Sequence, residues 1–181
     1  SEPASEFPWL LALWALGFAI AIARSARAEL SLRRHLDEQH SPAPIGLQAL
    51  ADACASQLGM RRSVPVLQID NLPSPAAYGW RHGRLLMPTD LHNELDEEEL
   101  RFVLLHELAH LRHHDSIQNL VFALLGALHW FNPLVAFAHH RIREERELLR
   151  DQEALAALPH VPARRCAATL VKLLPRQQPA P

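Results

Sequence analysis

Apolar and polar positions divide the chain into blocks, and the first block is almost purely apolar. Residues 8–23, PWLLALWALGFAIAIA, carry no charge. The run falls slightly short of the roughly 20 residues a spanning helix needs, and Phe7 and snorkelling flanks extend it. Glu2 and Glu6 precede it, while Arg24, Arg27, Arg33 and Arg34 follow. The positive-inside rule then places the N-terminus outside and the remainder in the cytoplasm. The acidic leading flank argues against a cleaved signal peptide. Ala28 to His40 continues the helix with a polar pattern, and Ser41-Pro42-Ala43-Pro44 breaks it.

Leu47, Leu50, Ala51, Cys54 and Leu58 recur at helical spacing up to Gly59. Val64 to Asp70 has strand character, with Pro65 favouring an edge or a strand start. Asn71 to Pro75 is rich in turn residues. Ala76 to Arg81 and Arg84 to Met87 read as two short strands joined around His82-Gly83, stopped by Pro88. A short helix through Leu91 leads into a longer one. There Asp96 is placed as an N-cap, with Glu99 three residues on and acidic residues at the positive end of the dipole. No Gly or Pro follows from Thr89 to Leu125. Leu100, Val103, Leu104, Leu108 and Leu111 supply its apolar surface.

Asn119 to Ala138 is apolar again, but positive charge flanks both ends (Arg112, Arg141, Arg143). Asn132-Pro133 reads as the N-cap and first residue of a new helix. A membrane-associated or re-entrant helical hairpin is the expectation. The helix begun at Pro133 continues through a charged run, Ile142 to Glu153, and ends at Leu158 before Pro159. Pro162 starts a last helix carrying Cys166, Leu170, Leu173 and Leu174.

These blocks predict a transmembrane helix over 7–24, a cytoplasmic helical linker region over 25–60, a core over 61–158 and a C-terminal helix and tail over 159–181. The 181 residues suffice for one moderate domain beside a membrane segment. A net charge of −2 gives no global basic character, which argues against direct nucleic-acid binding. The two cysteines fit no C-x-x-C pattern and are expected as buried free thiols. The start at Ser1 without Met suggests a piece of a longer protein.

The chemistry concentrates in Phe102 to Asp115, FVLLHELAHLRHHD. On a helix, His106 and His110 lie on one face roughly 6 Å apart along the axis. Two imidazoles so placed can share one zinc ion, with Glu107 in reach of a water on it. A third protein ligand is needed. His113 and His114 would drift away along a straight helix. A residue returning on a separate helix closes the sphere better, with Glu147 the first choice and Glu144 and Glu145 the alternatives. Glu147 and Asp151 repel each other at i,i+4 unless a metal centre sits beside them.

Three stretches then carry a resemblance: His106-Glu107-Leu108-Ala109-His110 followed by Asp115, His129-Trp130-Phe131-Asn132-Pro133-Leu134-Val135, and Arg146-Glu147-Leu148 with Asp151. Together they resemble the BlaR/MecR family of membrane metallopeptidases, peptidase family M56. Gly79 and Leu85-Leu86-Met87-Pro88 look like that family's hairpin before the motif helix. The resemblance covers roughly Val64 to Leu155. It implies a gluzincin-type site holding one zinc ion per chain on His106, His110 and Glu147, with Glu107 as general base. Asp151 would orient a ligating histidine. The pattern departs at Leu149-Arg150-Asp151, where the family usually has Ala-Cys-Asp.

The fold class expected is α+β and mostly helical: a gluzincin-like zinc metallopeptidase domain with a small antiparallel β-sheet, preceded by a transmembrane helix. The expected activity is that of a membrane-tethered zinc endopeptidase facing the cytoplasm from the bacterial inner membrane. The family implies antibiotic-responsive signal transduction in which the substrate is a transcriptional repressor or the protein itself. Membrane lipid and a second copy of the chain are further expected partners. Ala76, Ala77, Tyr78, Gly79 and Trp80 are the candidate edge strand for an extended substrate. Tyr78 and His129 are candidate oxyanion or substrate contacts. The alternatives are a non-catalytic zinc-containing transducer and a quality-control protease of the heat-shock or prenyl-protein peptidase type.

Overall fold

The computed structural model describes residues 8–38 and 40–173. The opening apolar run and its polar extension form one helix, α1 (Pro8–Glu38). Its apolar half is long enough to cross a membrane by length and composition, and Trp9, Leu11 and Leu16 stand exposed along it. Residue 7, expected in this span, and the tail from residue 174 lie outside the described residues.

Four short strands follow in a sheet of order β1-β2-β4-β3: β1 (His40–Pro42), β2 (Val66–Ile69), β3 (Ala76–Tyr78) and β4 (Arg84–Pro88). The sheet is mixed rather than antiparallel. β1 runs antiparallel to β2 and β3 antiparallel to β4, but β2 and β4 run parallel, with Val66 opposite Leu85. Leu85, Leu86 and Met87 are all buried. A strand apolar on both faces takes the interior of a sheet, so β4 inserts beside β2 and displaces β3 to the edge. The Ser41-Pro42 breaker contributes an edge strand, where a residue without an N–H is tolerated. β3 stops at Tyr78, short of Arg81. Gly79 has φ +94°, and a Cβ there would lie 2.6 Å from the His82 carbonyl oxygen.

The remaining helices are α2 (Ile45–Gln57), α3 (Leu91–Glu94), α4 (Glu97–Arg112), α5 (Asp115–Leu128), α6 (Pro133–Ala157) and α7 (Ala163–Leu173). The capping box forms as the sequence predicts. Glu99 N–H donates to Asp96 Oδ1 at 3.0 Å, and Asp96 N–H donates to Glu99 Oε2 at 3.2 Å. α4 is the central element, with Phe102, Leu104, Leu105 and Leu108 buried against α2, α6, α7 and the sheet. Cys54 and Cys166 are buried free thiols, and burial pushes the Cys54 thiol up to about 11.

The uninterrupted pattern through Leu125 does not give one straight helix. α4 ends at Arg112, and His114 adopts the left-handed conformation (φ 55°, ψ 40°) before α5 begins. This conformation costs a side-chain-bearing residue of the order of 1 kcal/mol. α5 then packs on α1. Trp14 Nε1 donates to the Leu128 carbonyl at 3.0 Å, and Trp130 Nε1 donates to the Trp14 carbonyl at 3.3 Å. Gly17 makes this close approach feasible, since a Cβ there would lie 2.1 Å from the Trp130 ring. α6 starts as predicted, with Leu134 N–H donating to Asn132 Oδ1 at 3.0 Å and Pro133 as its first residue.

Candidate metal centre

α4 and α6 pack side by side and bring three donors together. His106 and His110 project from one face of α4, and Glu147 projects towards them from α6. The two Nε2 atoms are 3.1 Å apart. Glu147 Oε2 lies 3.7 Å from His106 Nε2 and 3.4 Å from His110 Nε2. Donors around a tetrahedral ion with bonds near 2.05 Å sit about 3.3 Å from one another, so the three separations straddle the ideal.

The tautomers reinforce this fit. His110 Nδ1 lies 2.6 Å from Asp115 Oδ2. A carboxylate only accepts, so Nδ1 carries the proton of a neutral ring and Nε2 presents its lone pair inward. His106 Nδ1 lies 2.9 Å from Asp151 Oδ1 by an approach outside good hydrogen-bond alignment, and neither atom has another hydrogen-bond partner. Two imidazole lone pairs and a carboxylate facing one another repel unless a positive charge sits among them. A proton can serve: burial alone would lower the His110 pKa, but Glu147, Glu107 and Asp115 outweigh it and raise it. The convergent donor set equally fits a divalent cation.

Glu107 follows His106 on α4 and is partly exposed beside the cluster. Burial raises its carboxyl above the usual range, while the histidines and the backbone amide of Ala77 draw it back. β3 therefore runs directly alongside the cluster, with Ala77 at Glu107. The candidate substrate edge is three residues long, Ala76 to Tyr78, with Gly79 and Trp80 beyond the strand.

The other sequence candidates lie elsewhere. Glu144 and Glu145 pair with Arg141, and Glu144 also meets His140. His113 pairs with Glu153 at 2.8 Å, and His114 forms the corner after α4. Tyr78 donates its hydroxyl to Glu29 Oε1 on α1 at 2.8 Å, away from the cluster. His129 caps α5, its Nδ1 3.1 Å from the Leu125 carbonyl.

With this geometry established, the family model described as BlaR1 peptidase M56 matches residues 1–180. The chain belongs to that family. "Regulatory protein BlaR1" of Bacillus licheniformis is 26% identical to this M56 chain over 147 residues, 81% of the chain and 24% of that protein. "Methicillin resistance mecR1 protein" of Staphylococcus aureus is 24% identical over 106 residues, 58% of the chain and 18% of that protein. "Protease HtpX homolog" of Methanothermobacter thermautotrophicus is 33% identical over 112 residues, 60% of the chain and 40% of that protein. The M56 chain thus spans about a quarter or less of the BlaR1 and MecR1 proteins it matches. The matched family is a peptidase family, and the HtpX relative is named a protease.

Two residues of this M56 site escaped the sequence reading of roles: Asp115 and Arg150. Arg150 stands where the sequence departs from the family pattern, and it holds Asp115 through Nε at 2.9 Å and Nη2 at 3.0 Å. Burial raises the Asp115 carboxyl, but Arg150 and His110 more than offset this and lower it. No local sequence pattern marks the pair, because Arg146 and Arg150 share a buried face with Ala154 only once α6 packs.

Proposed function

We propose that this chain is the catalytic region of a membrane-tethered zinc endopeptidase of gluzincin type. The observation that carries the reading is the convergence of two His Nε2 lone pairs and the Glu147 carboxylate, each histidine backed by a carboxylate at Nδ1. Two histidine nitrogens and one carboxylate oxygen are the donor set of catalytic rather than structural zinc.

Bound there, zinc would supply Lewis-acid activation of water and of the scissile carbonyl. His106, His110 and Glu147 would hold it, while Asp151 and Asp115 orient the imidazoles and make them more basic ligands. Glu107 accepts the proton of the attacking water as its oxygen bonds to the carbonyl carbon. It returns that proton to the amide nitrogen as the C–N bond breaks. Burial disfavours the charged carboxylate and so favours its taking the proton. An extended substrate is held along β3, where backbone hydrogen bonding selects shape rather than sequence.

The apolar half of α1, followed by Arg24, Arg27, Arg33 and Arg34, supports a bacterial inner-membrane protein with its zinc site in the cytoplasm. The names of the BlaR1 and MecR1 relatives, a regulatory protein and a methicillin-resistance protein, support a regulatory role linked to antibiotic resistance. The substrate proposed, on the motif resemblance alone, is a transcriptional repressor or the protein itself. The HtpX relatives keep a second reading, a quality-control protease of the same chemistry.

The deciding experiment measures metal content and peptide cleavage of the purified chain beside Glu147→Ala and Glu107→Gln. One zinc per chain is expected, lost in Glu147→Ala and kept in Glu107→Gln, with cleavage lost in both. Cleavage by Glu107→Gln, or absence of zinc from metal-replete wild type, would overturn the reading.

A further inference from the structure

Beside the metal centre lies a groove of about 710 Å³ that the reaction above does not use. Its walls are the Gly59–Pro65 segment, the turn between β3 and β4, and the end of α4. Arg61, Arg62, Arg81 and Arg84 line it, and no Asp or Glu does. All four side chains are exposed, and none has a carboxylate partner among the described residues. Arg112, a fifth lining arginine, is neutralised by Glu153 from α6. The charge is therefore local, in a chain whose net charge is −2.

The groove adjoins the end of β3 and the last turn of α4. On one side its lining begins at Leu111, the residue after the donor His110. On the other it begins at Gly79, the residue after β3. Ala77 is already at Glu107, so a chain paired along β3 advances about 3.3 Å per residue and enters the groove within three or four residues. At the entrance Trp80 is 57% exposed, with the Arg81 guanidinium 5.5 Å from its ring. An exposed indole beside unpaired guanidinium groups offers a stacking surface and bidentate donors for carboxylates.

We propose that this groove is a specificity subsite that takes an acidic segment of the protein substrate, a few residues from the scissile bond. This deepens the peptidase reading and rests on it. A peptide fits better than a lipid surface. The groove begins where the edge strand ends, whereas most of the exposed large apolar side chains lie on α1, α5 and the start of α6.

The test is binding to the zinc-loaded Glu107→Gln variant of the whole 181-residue chain in neutral detergent, which separates recognition from turnover. The probes are fluorescein-labelled 14-residue peptides with one apolar core, carrying four Glu, four Gln or four Lys at either the N-terminal or the C-terminal end. At low salt, one placement of Glu is expected to bind about tenfold tighter than its Gln counterpart, the sum of several exposed ion pairs. Lys at that end weakens binding. The advantage shrinks as salt rises and screens the charges. It falls to about twofold or less in Arg61→Gln/Arg62→Gln/Arg81→Gln/Arg84→Gln, whose zinc content reports whether the fold is kept. Should that variant not fold, Arg61→Gln/Arg84→Gln gives the same comparison with a smaller loss.

Equal binding of Glu and Gln peptides at both ends overturns the proposal, as does an advantage that survives the arginine substitutions. Phosphatidylglycerol vesicles, beside phosphatidylcholine ones, form the last arm. If the substitutions weaken vesicle binding and leave peptide binding untouched, the groove is a lipid site and the proposal falls. Wild type that cleaves without regard to acidic ends removes the subsite and keeps the peptidase. An acidic preference without any cleavage does the reverse.

Discussion

Arg150 grips Asp115 through two parallel contacts, Nε to Oδ2 at 2.9 Å and Nη2 to Oδ1 at 3.0 Å. The same Oδ2 lies 2.6 Å from His110 Nδ1, so the guanidinium fixes the carboxylate that fixes the imidazole. The left-handed corner at His114 makes this relay feasible, because it turns Asp115 back under the helix that carries His110.

Asp115→Asn should therefore lower metal affinity by about 10- to 100-fold while leaving the three donors in place. Arg150→Ala should also destabilise the fold, by about 3 kcal/mol or more, since it strands a buried carboxylate. Zinc titration by calorimetry and chemical denaturation of the same samples check the two parts. Wild-type zinc affinity in Asp115→Asn would remove the relay.

Tyr78 is bonded to Glu29, which ties β3 to α1. Tyr78→Phe should cost about 1 kcal/mol in stability and leave kcat within about threefold of wild type. A fall of a hundredfold or more in kcat would instead make Tyr78 an oxyanion donor. Steady-state cleavage kinetics decide between these outcomes.

Gly17→Val should loosen the junction of α1 and α5. Its side chain would enter the space of the Trp130 indole, and overpacking of this kind costs about 1–3 kcal/mol. A lower unfolding midpoint in detergent, with zinc stoichiometry unchanged, is the expected result. Gly126→Val is the control, because a Cβ there meets nothing within 4 Å.

Asp96→Ala should destabilise α4 by about 1 kcal/mol through loss of its N-cap. The Glu99 backbone amide, and then Arg165, hold the Asp96 carboxyl below its usual value. A carboxyl lowered in the folded state stabilises above its unfolded pKa and loses that contribution as pH falls through the folded value. The difference between wild type and Asp96→Ala should thus be full above about pH 5 and shrink below about pH 4. Urea denaturation across this range measures it.

What could be read directly from the amino-acid order were relationships that close within one or two helical turns. Two histidines four apart on a capped helix share a face whatever surrounds them, and Asn132-Pro133 starts a helix by its own chemistry. Relationships between distant segments had no such local signature. That Glu147 rather than Glu144 or Glu145 meets the histidines depends on the rotation of α6 against α4, set by burial of Arg146, Arg150 and Ala154. The parallel pairing of β2 and β4 depends on which strand is apolar on both faces, and so on what packs there. The grip of Arg150 on Asp115 and the gathering of Arg61, Arg62, Arg81 and Arg84 in one groove join segments far apart in the chain. Periodicity shows which face of an element is buried, but the face it meets is decided when the whole core packs.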